Sequence, residues 1–228
     1  MLVLAHRGAH EPAAPGLREN TVAAFQAAGA LGADGVEFDV RRTADGALAV
    51  HHDPTLPDGR RIDAVTRVEL PAWVPSLTEA LEACAGLALV DVEIKNSPFD
   101  PDFDPTHEIA RQVAAALGGR AGLLVSSFNL ITLDAFRQAD PATPTGWLTL
   151  PGYDQGDAAA TAAAHGHSAL NPPDAATTPE VVATARAAGL MVVTWTVNDP
   201  ARLVELAGIG VDVAISDRPD LAAAAATR

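Results

Sequence analysis

Short runs rich in Val, Ile and Leu alternate along the chain with longer Ala- and Leu-rich stretches. The short runs fit buried strands and the longer stretches fit helices, which is the sequence form of repeated βα units around a parallel sheet. The pattern predicts strands at Leu2–His6, Gly35–Val40, Ala88–Ile94, Leu123–Ser127, Thr145–Leu150, Ser168–Asn171, Met191–Val197 and Val211–Ser216. Eight such strands close an α/β fold of the (β/α)8 TIM barrel type.

Helix starts are marked between them. Ser76-Leu77-Thr78-Glu79 has capping-box form ahead of a helix through Ala85. Asp104-Pro105, Thr178-Pro179 and Asp199-Pro200 each put a cap residue before a proline at the first helical position. Asn20-Thr21 and Asn129 open two further helices, and the Ala-rich tail after Asp220 reads as a last one. A ninth apolar run, Ala47–His52, follows the turn signal Thr43-Ala44-Asp45-Gly46. Folded back as a hairpin on Val36–Val40, it sets His52 roughly opposite Glu37.

Composition narrows the class. The 228 residues suit one barrel domain spanning 1–228, and no linker or low-complexity insert divides them. No apolar run approaches the roughly 18–20 residues of a membrane span. The N-terminus lacks the form of a signal peptide, so the expected location is cytoplasmic. A net charge of −14 argues against nucleic acid and against anionic membrane surfaces as partners. Cys84 is the only cysteine, so no internal disulfide is possible and it reads as a buried thiol. Nothing in the sequence specifies an oligomeric state. Among fifteen Lys and Arg residues only Lys95 is lysine, a compact point charge where the rest are planar forks.

In such barrels the chemistry lies at the C-terminal ends of the strands. The first strand ends in His6-Arg7-Gly8. On the second, strand alternation puts Glu37 and Asp39 on one face and Val36, Phe38 and Val40 on the other. On the third, Asp91, Glu93 and Lys95 share a face, Asp91 one layer deeper. Buried carboxylates need a partner or a cation. Glu37, Asp39 and Glu93 offer oxygen ligands only, which favours one divalent cation of the hard class, Mg²⁺ or Ca²⁺. His6 and His52 then supply groups that titrate near neutrality, able to take and give protons beside a phosphoryl group whose charge Arg7 and Lys95 balance. His51 has the opposite parity and points elsewhere. Trp195, near the end of the seventh strand, offers an apolar wall for a small-molecule substrate.

Taken together these segments resemble the glycerophosphodiester phosphodiesterase family. The matching stretches are His6-Arg7-Gly8, Glu19-Asn20-Thr21, Gly32 through Val40, Thr43-Ala44-Asp45-Gly46, His52-Asp53-Pro54-Thr55-Leu56, Leu77 through Leu81, Glu93-Ile94-Lys95, Ser126-Ser127-Phe128, Trp195-Thr196-Val197-Asn198 and Val211 through Pro219. They run in family order over almost the whole chain. The resemblance implies hydrolysis of a glycerophosphodiester to glycerol 3-phosphate and an alcohol, a step of lipid metabolism, through attack by a neighbouring glycerol hydroxyl and a cyclic phosphate. It implies His6 and His52 as the acid–base pair and Glu37, Asp39 and Glu93 as cation ligands. It sets Arg7 and Lys95 near the phosphate and Trp195 in the pocket wall. Two departures stand out. Arg18 replaces the usual proline before Glu19-Asn20-Thr21, and only Pro54 to Pro75 stands where the family carries a larger inserted lobe.

Two other functions compete. A transphosphorylating relative of phospholipase D-like form would release a cyclic phosphate as its final product. A non-catalytic barrel would bind phosphorylated ligands, but mere phosphate binding gives no reason for two histidines beside three acids.

Overall fold

Each short apolar run forms a strand. In a computed structural model that describes residues 1–221, the strands are β1 Leu2–His6, β2 Gly35–Arg42, β3 Leu48–Val50, β4 Leu89–Ile94, β5 Leu123–Ser127, β6 Thr145–Leu148, β7 Ala169–Asn171, β8 Met191–Thr194 and β9 Val213–Ser216. Eight of them pair in parallel in the ring order β1-β2-β4-β5-β6-β7-β8-β9, and β9 pairs back on β1. The helices between them are α1 Val22–Ala30, α2 Leu77–Ala83, α3 Glu108–Leu117, α4 Leu130–Ala139, α5 Gln155–Ala164, α6 Pro179–Ala187 and α7 Pro200–Ile209. The result is the (β/α)8 barrel. The Ala-rich tail expected as a last helix lies, from residue 222, outside the described residues.

Strand parity sorts the side chains into two cores. Leu4, Leu124, Ala169, Val193, Val213 and Ile215 pack together inside the ring. Val36, Phe38, Val40, Val92 and Val125 face outward onto the helices, where Phe25 and Phe38 meet with ring centroids 5.3 Å apart. Inside, the register stacks apolar layers below polar ones. Leu4 is level with Gly35, His6 with Glu37, Glu37 with Asp91, and Asp39 with Glu93. Gly35 is required by the closeness of β4, since a Cβ there would stand 1.8 Å from the Leu89 carbonyl oxygen and 2.6 Å from Leu4 Cδ2. Gly35→Ala is expected to cost about 1–3 kcal/mol through overpacking. Thermal denaturation reads it as a fall of roughly 2–4 °C in Tm per kcal/mol for a domain of this size.

The caps follow the sequence in most places. Ser76 and Glu79 form the reciprocal box at α2, and Thr21, Asn129, Thr178 and Asp199 each accept from the first turn of their helices. Asp104-Pro105 is the exception. The helix begins three residues later, at Glu108, after a left-handed His107. Asp104 still anchors it, accepting from Thr106 N at 2.9 Å and from Ile109 N at 3.1 Å.

The ninth run also differs in detail. β3 pairs antiparallel with β2, Val40 opposite Val50 and Arg42 opposite Leu48, around the predicted turn. The ladder stops there, and His51 N donates to the Asp39 carbonyl. Continued, that register would set His52 level with Phe38 rather than Glu37. His52 therefore reaches the barrel mouth from a loop, with Arg41 Nε donating to its carbonyl oxygen at 2.7 Å. The short segment after it has a core of its own, in which Leu56, Ile62, Val65, Leu70 and Val74 pack with Ala49 and Trp73. The segment from Pro54 to Pro75 thus forms a small cap whose apolar residues close on one another.

Candidate active site

The strand ends bring the predicted polar residues to one hollow. His6, Arg7, Glu37, His52, Glu93, Lys95 and Trp195 line a cavity of about 210 Å³ with Asp91, Ser126 and Phe128. Asp39 lies just behind this lining, 1% exposed, and the oxygens of Glu37, Asp39 and Glu93 come within 4.8 Å of one another. His52 and Lys95 also border a second hollow of about 360 Å³, shared with Glu93 and Phe128, which runs out to the exposed rings and chains of Phe99 and Leu150.

Charge balance in the acidic cluster is incomplete. Lys95 Nζ lies 2.9 Å from Asp39 Oδ1 and 2.7 Å from Glu93 Oε1. Burial alone would lower its pKa, but those two carboxylates overcome it and hold the ammonium above its ordinary value. Asp39 is likewise resisted by burial, yet Lys95, His52, Arg7 and a 2.7 Å hydrogen bond from Asn20 Nδ2 keep it far below the usual carboxylate range. Glu37 goes the other way. Burial and the charges of Asp39, Glu93 and Asp91 push it well above that range. Its carboxyl accepts one hydrogen bond among the described residues, from the Arg7 backbone N–H at 3.2 Å. Three buried carboxylates sharing one space therefore lack a positive charge on the Glu37 side. An all-oxygen donor set with that deficit fits a hard divalent cation, and these three residues could hold one.

Both histidines are oriented by a carboxylate on the same ring nitrogen. His6 Nδ1 donates to Asp217 Oδ1 at 2.6 Å, and His52 Nδ1 to Asp53 Oδ1 at 2.7 Å. Such a bond fixes the tautomer and leaves Nε2 to work in the cavity. His6 Nε2 stands 3.9 Å from Glu37 Oε2. Burial, with Lys95 and Arg7 against the opposing pull of Asp39, lowers His52 below the ordinary imidazole value. Burial would raise Asp217, but its hydrogen bond and charge interaction with His6, helped by Asn198, bring it down to about 2. Asp217→Asn keeps the volume and loses the charge. It is expected to lower turnover on the order of 10²-fold by letting the ring wander, with little change in KM, as steady-state kinetics would read.

Arg7 and Trp195 frame the hollow. Arg7 Nη1 donates to Glu19 Oε1 at 3.0 Å, and its Nε lies 3.6 Å from Asp39 Oδ2. Trp195 follows β8 rather than lying within it. Its Nε1 donates to the Asn171 carbonyl at 3.0 Å, and its ring meets Phe128 edge-on at 5.4 Å. His51 turns away as its parity predicts and packs near Trp73.

Asp91, Asp53, Asp217, Asn20 and Glu19 join the site without a role assigned from the sequence. Asp91 lies deep in the cavity, where burial is the main cause that raises its carboxyl to about 8. Asp217 immediately follows β9, so the strand-end rule that picked out His6 also reaches it.

Residues 6–221 match the sequence profile of the Glycerophosphoryl diester phosphodiesterase family. Among curated proteins, a glycerophosphodiester phosphodiesterase of Bacillus altitudinis is 30% identical over 90% of this chain and 91% of its own. One from Caldanaerobacter subterraneus is 28% identical over 96% and 95%. Among solved structures, a glycerophosphodiester phosphodiesterase from Thermotoga maritima is similar with a TM-score of 0.80 and 28% identity, covering 96% of each chain. An Oleispira antarctica phosphodiesterase in complex with the product sn-glycerol-3-phosphate gives 0.81 and 25%, covering 100% of this chain and 97% of that one.

Proposed function

Because the chain belongs to the glycerophosphoryl diester phosphodiesterase family, we propose that it cleaves glycerophosphodiesters to glycerol 3-phosphate and an alcohol, with His52 as base and His6 as acid. The observation that carries this reading is the pair of imidazoles, each oriented through Nδ1 by its own aspartate, on one cavity with three clustered carboxylates. The product held by the Oleispira antarctica relative supports the same substrate class.

His52 stays neutral at pH 7 because burial lowers its pKa, so its free Nε2 can accept a proton from the glycerol hydroxyl next to the phosphate. The hydroxyl oxygen then bonds to phosphorus as the bond to the alcohol breaks. His6, oriented by Asp217, donates the proton that the departing alcohol takes up. Water opens the cyclic phosphate with the roles reversed. His6 removes the water proton, and His52 returns its proton to the glycerol oxygen. Arg7 and Lys95 offer positive charge to the phosphoryl oxygens, and Trp195 with Phe128 walls the apolar side. A divalent cation held by Glu37, Asp39 and Glu93 would add Lewis-acid neutralisation of the same charge. Mg²⁺ or Ca²⁺ suits the donor set.

The reduced cap leaves the mouth open toward Phe99 and Leu150, so bulky alcohol groups should be accepted. A panel of glycerophosphodiesters graded by alcohol size, each with Mg²⁺, Ca²⁺ and Mn²⁺ in parallel, tests this by enzymatic detection of glycerol 3-phosphate. Release from at least one diester is expected, with similar kcat/KM for small and large alcohols. Silence across the panel would sink the assignment.

A further inference from the structure

A second group of metal-binding type lies away from the mouth and takes no part in the chemistry above. Asp134 projects from α4, His165 ends α5, and His167 stands two residues before β7. His167 precedes its strand, whereas the active site lies where the strands end. The two sites therefore belong to opposite faces of the barrel.

Their geometry is that of a ligand set. The three donor atoms lie within 4.8 Å of one another. His165 Nδ1 is 2.9 Å from Asp134 Oδ2, and His167 Nε2 is 3.2 Å from Asp134 Oδ1. A tetrahedral centre with bonds of about 2.0–2.1 Å sets its donors roughly 3.3 Å apart. Gly166, at φ +77°, turns the chain so that the two rings stack 6.1 Å apart with 18° between their planes. A Cβ at that glycine would meet Arg137 Nη2 at 2.7 Å.

A second observation points to an ion. The His167 side chain is wholly buried, and its Nε2 makes no hydrogen bond among the described residues. Its Nδ1 lies 2.9 Å from Thr145 Oγ1. A cation between Nε2 and Asp134 Oδ1 would give this buried nitrogen a partner, with the Nδ1 proton then directed to Thr145. The hydroxyl on the far nitrogen is the supporting contact that metal-bound histidines keep.

We propose that Asp134, His165 and His167 bind one Zn²⁺-class divalent cation, a structural clamp joining α4 to the α5–β7 connection. Two imidazoles and one carboxylate suit Zn²⁺ and disfavour Mg²⁺ and Ca²⁺, which separates this site from the all-oxygen cluster at the mouth. Asp134 and His165 are 27% and 40% exposed at the side chain, so an ion has a way in and water can complete its shell.

Untagged protein, stripped with EDTA and dialysed against Zn²⁺ with Mg²⁺ in excess, tests this by bound metal per chain. Wild type is expected to bind one equivalent more than His165→Ala or Asp134→Asn, and a Glu37→Gln/Glu93→Gln variant to retain that equivalent. Thr145→Val should weaken it about 10-fold or more. In wild-type protein, Zn²⁺ should shift the ring NMR signals of His165 and His167, a readout that needs no variant to fold. Equal zinc in wild type and His165→Ala, loss of the extra equivalent with the mouth carboxylates, or unmoved ring signals would each overturn the site.

Discussion

His52→Ala is expected to lower kcat/KM on a glycerophosphodiester by about 10²–10⁴-fold, the usual contribution of a general acid–base group. His6→Ala should fall in the same range. Neither ring holds the fold together. His6 and His52 are 21% and 33% exposed at the side chain, and each spends Nδ1 on an aspartate that water can solvate in its absence. Circular dichroism and Tm should therefore stay near wild type while turnover collapses. The pH profile gives an independent check. His52 must be neutral to accept a proton, and burial sets its pKa below the ordinary imidazole value. Activity is then present above that lowered pKa and is lost as pH falls through it, so the acid limb of kcat/KM should lie below pH 6.5. An acid limb above that, or near-normal turnover in either variant, would remove the histidine pair.

Chelation should have an effect at least as large. EDTA, and separately Glu93→Gln, are expected to reduce turnover about 10³-fold or more, since a Lewis acid on a phosphoryl group supplies several kcal/mol and each decade is worth about 1.4 kcal/mol. The reason lies in the uneven charge at the mouth. Lys95 lies between Asp39 and Glu93, while the Glu37 carboxyl accepts a hydrogen bond from the Arg7 backbone N–H, has no ammonium or guanidinium paired with it among the described residues, and is driven toward its protonated form by burial and its neighbours. A divalent cation held there would reverse that and favour the charged carboxylate of Glu37. Restoring Mg²⁺ or Ca²⁺ to chelated wild type should recover activity. Rates unchanged by EDTA would leave the three carboxylates as a structural cluster tied to Lys95.

The barrel was legible because two periodicities agree. Glu37 and Asp39 alternate with Val36, Phe38 and Val40, so polarity alone told the interior of β2 from its helix-facing side. The same parity joined Glu93 to them, and the structure keeps that register, Asp39 level with Glu93. What escaped was whatever depends on where a strand stops. β3 ends at Val50 and β8 at Thr194, so His52 and Trp195 reach the cavity from loops whose course no alternation records. Asp104 misled for a related reason. Its carboxylate caps from outside the helix, and the left-handed His107 that delays α3 carries no signal in composition. Asp217 orients His6 only through tertiary contact, across 211 positions, whereas Asp53 is the residue next to His52, and the Asp134–His165–His167 group needs Asp134 brought from 31 and 33 positions away.

The most direct test of the central claim is phosphorus NMR of the purified protein turning over a glycerophosphodiester with a divalent cation present. The two-histidine account predicts that the diester signal is replaced by glycerol 3-phosphate, with any cyclic phosphate rising and then disappearing. A cyclic phosphate that accumulates and persists, or a diester signal that never declines, would contradict it.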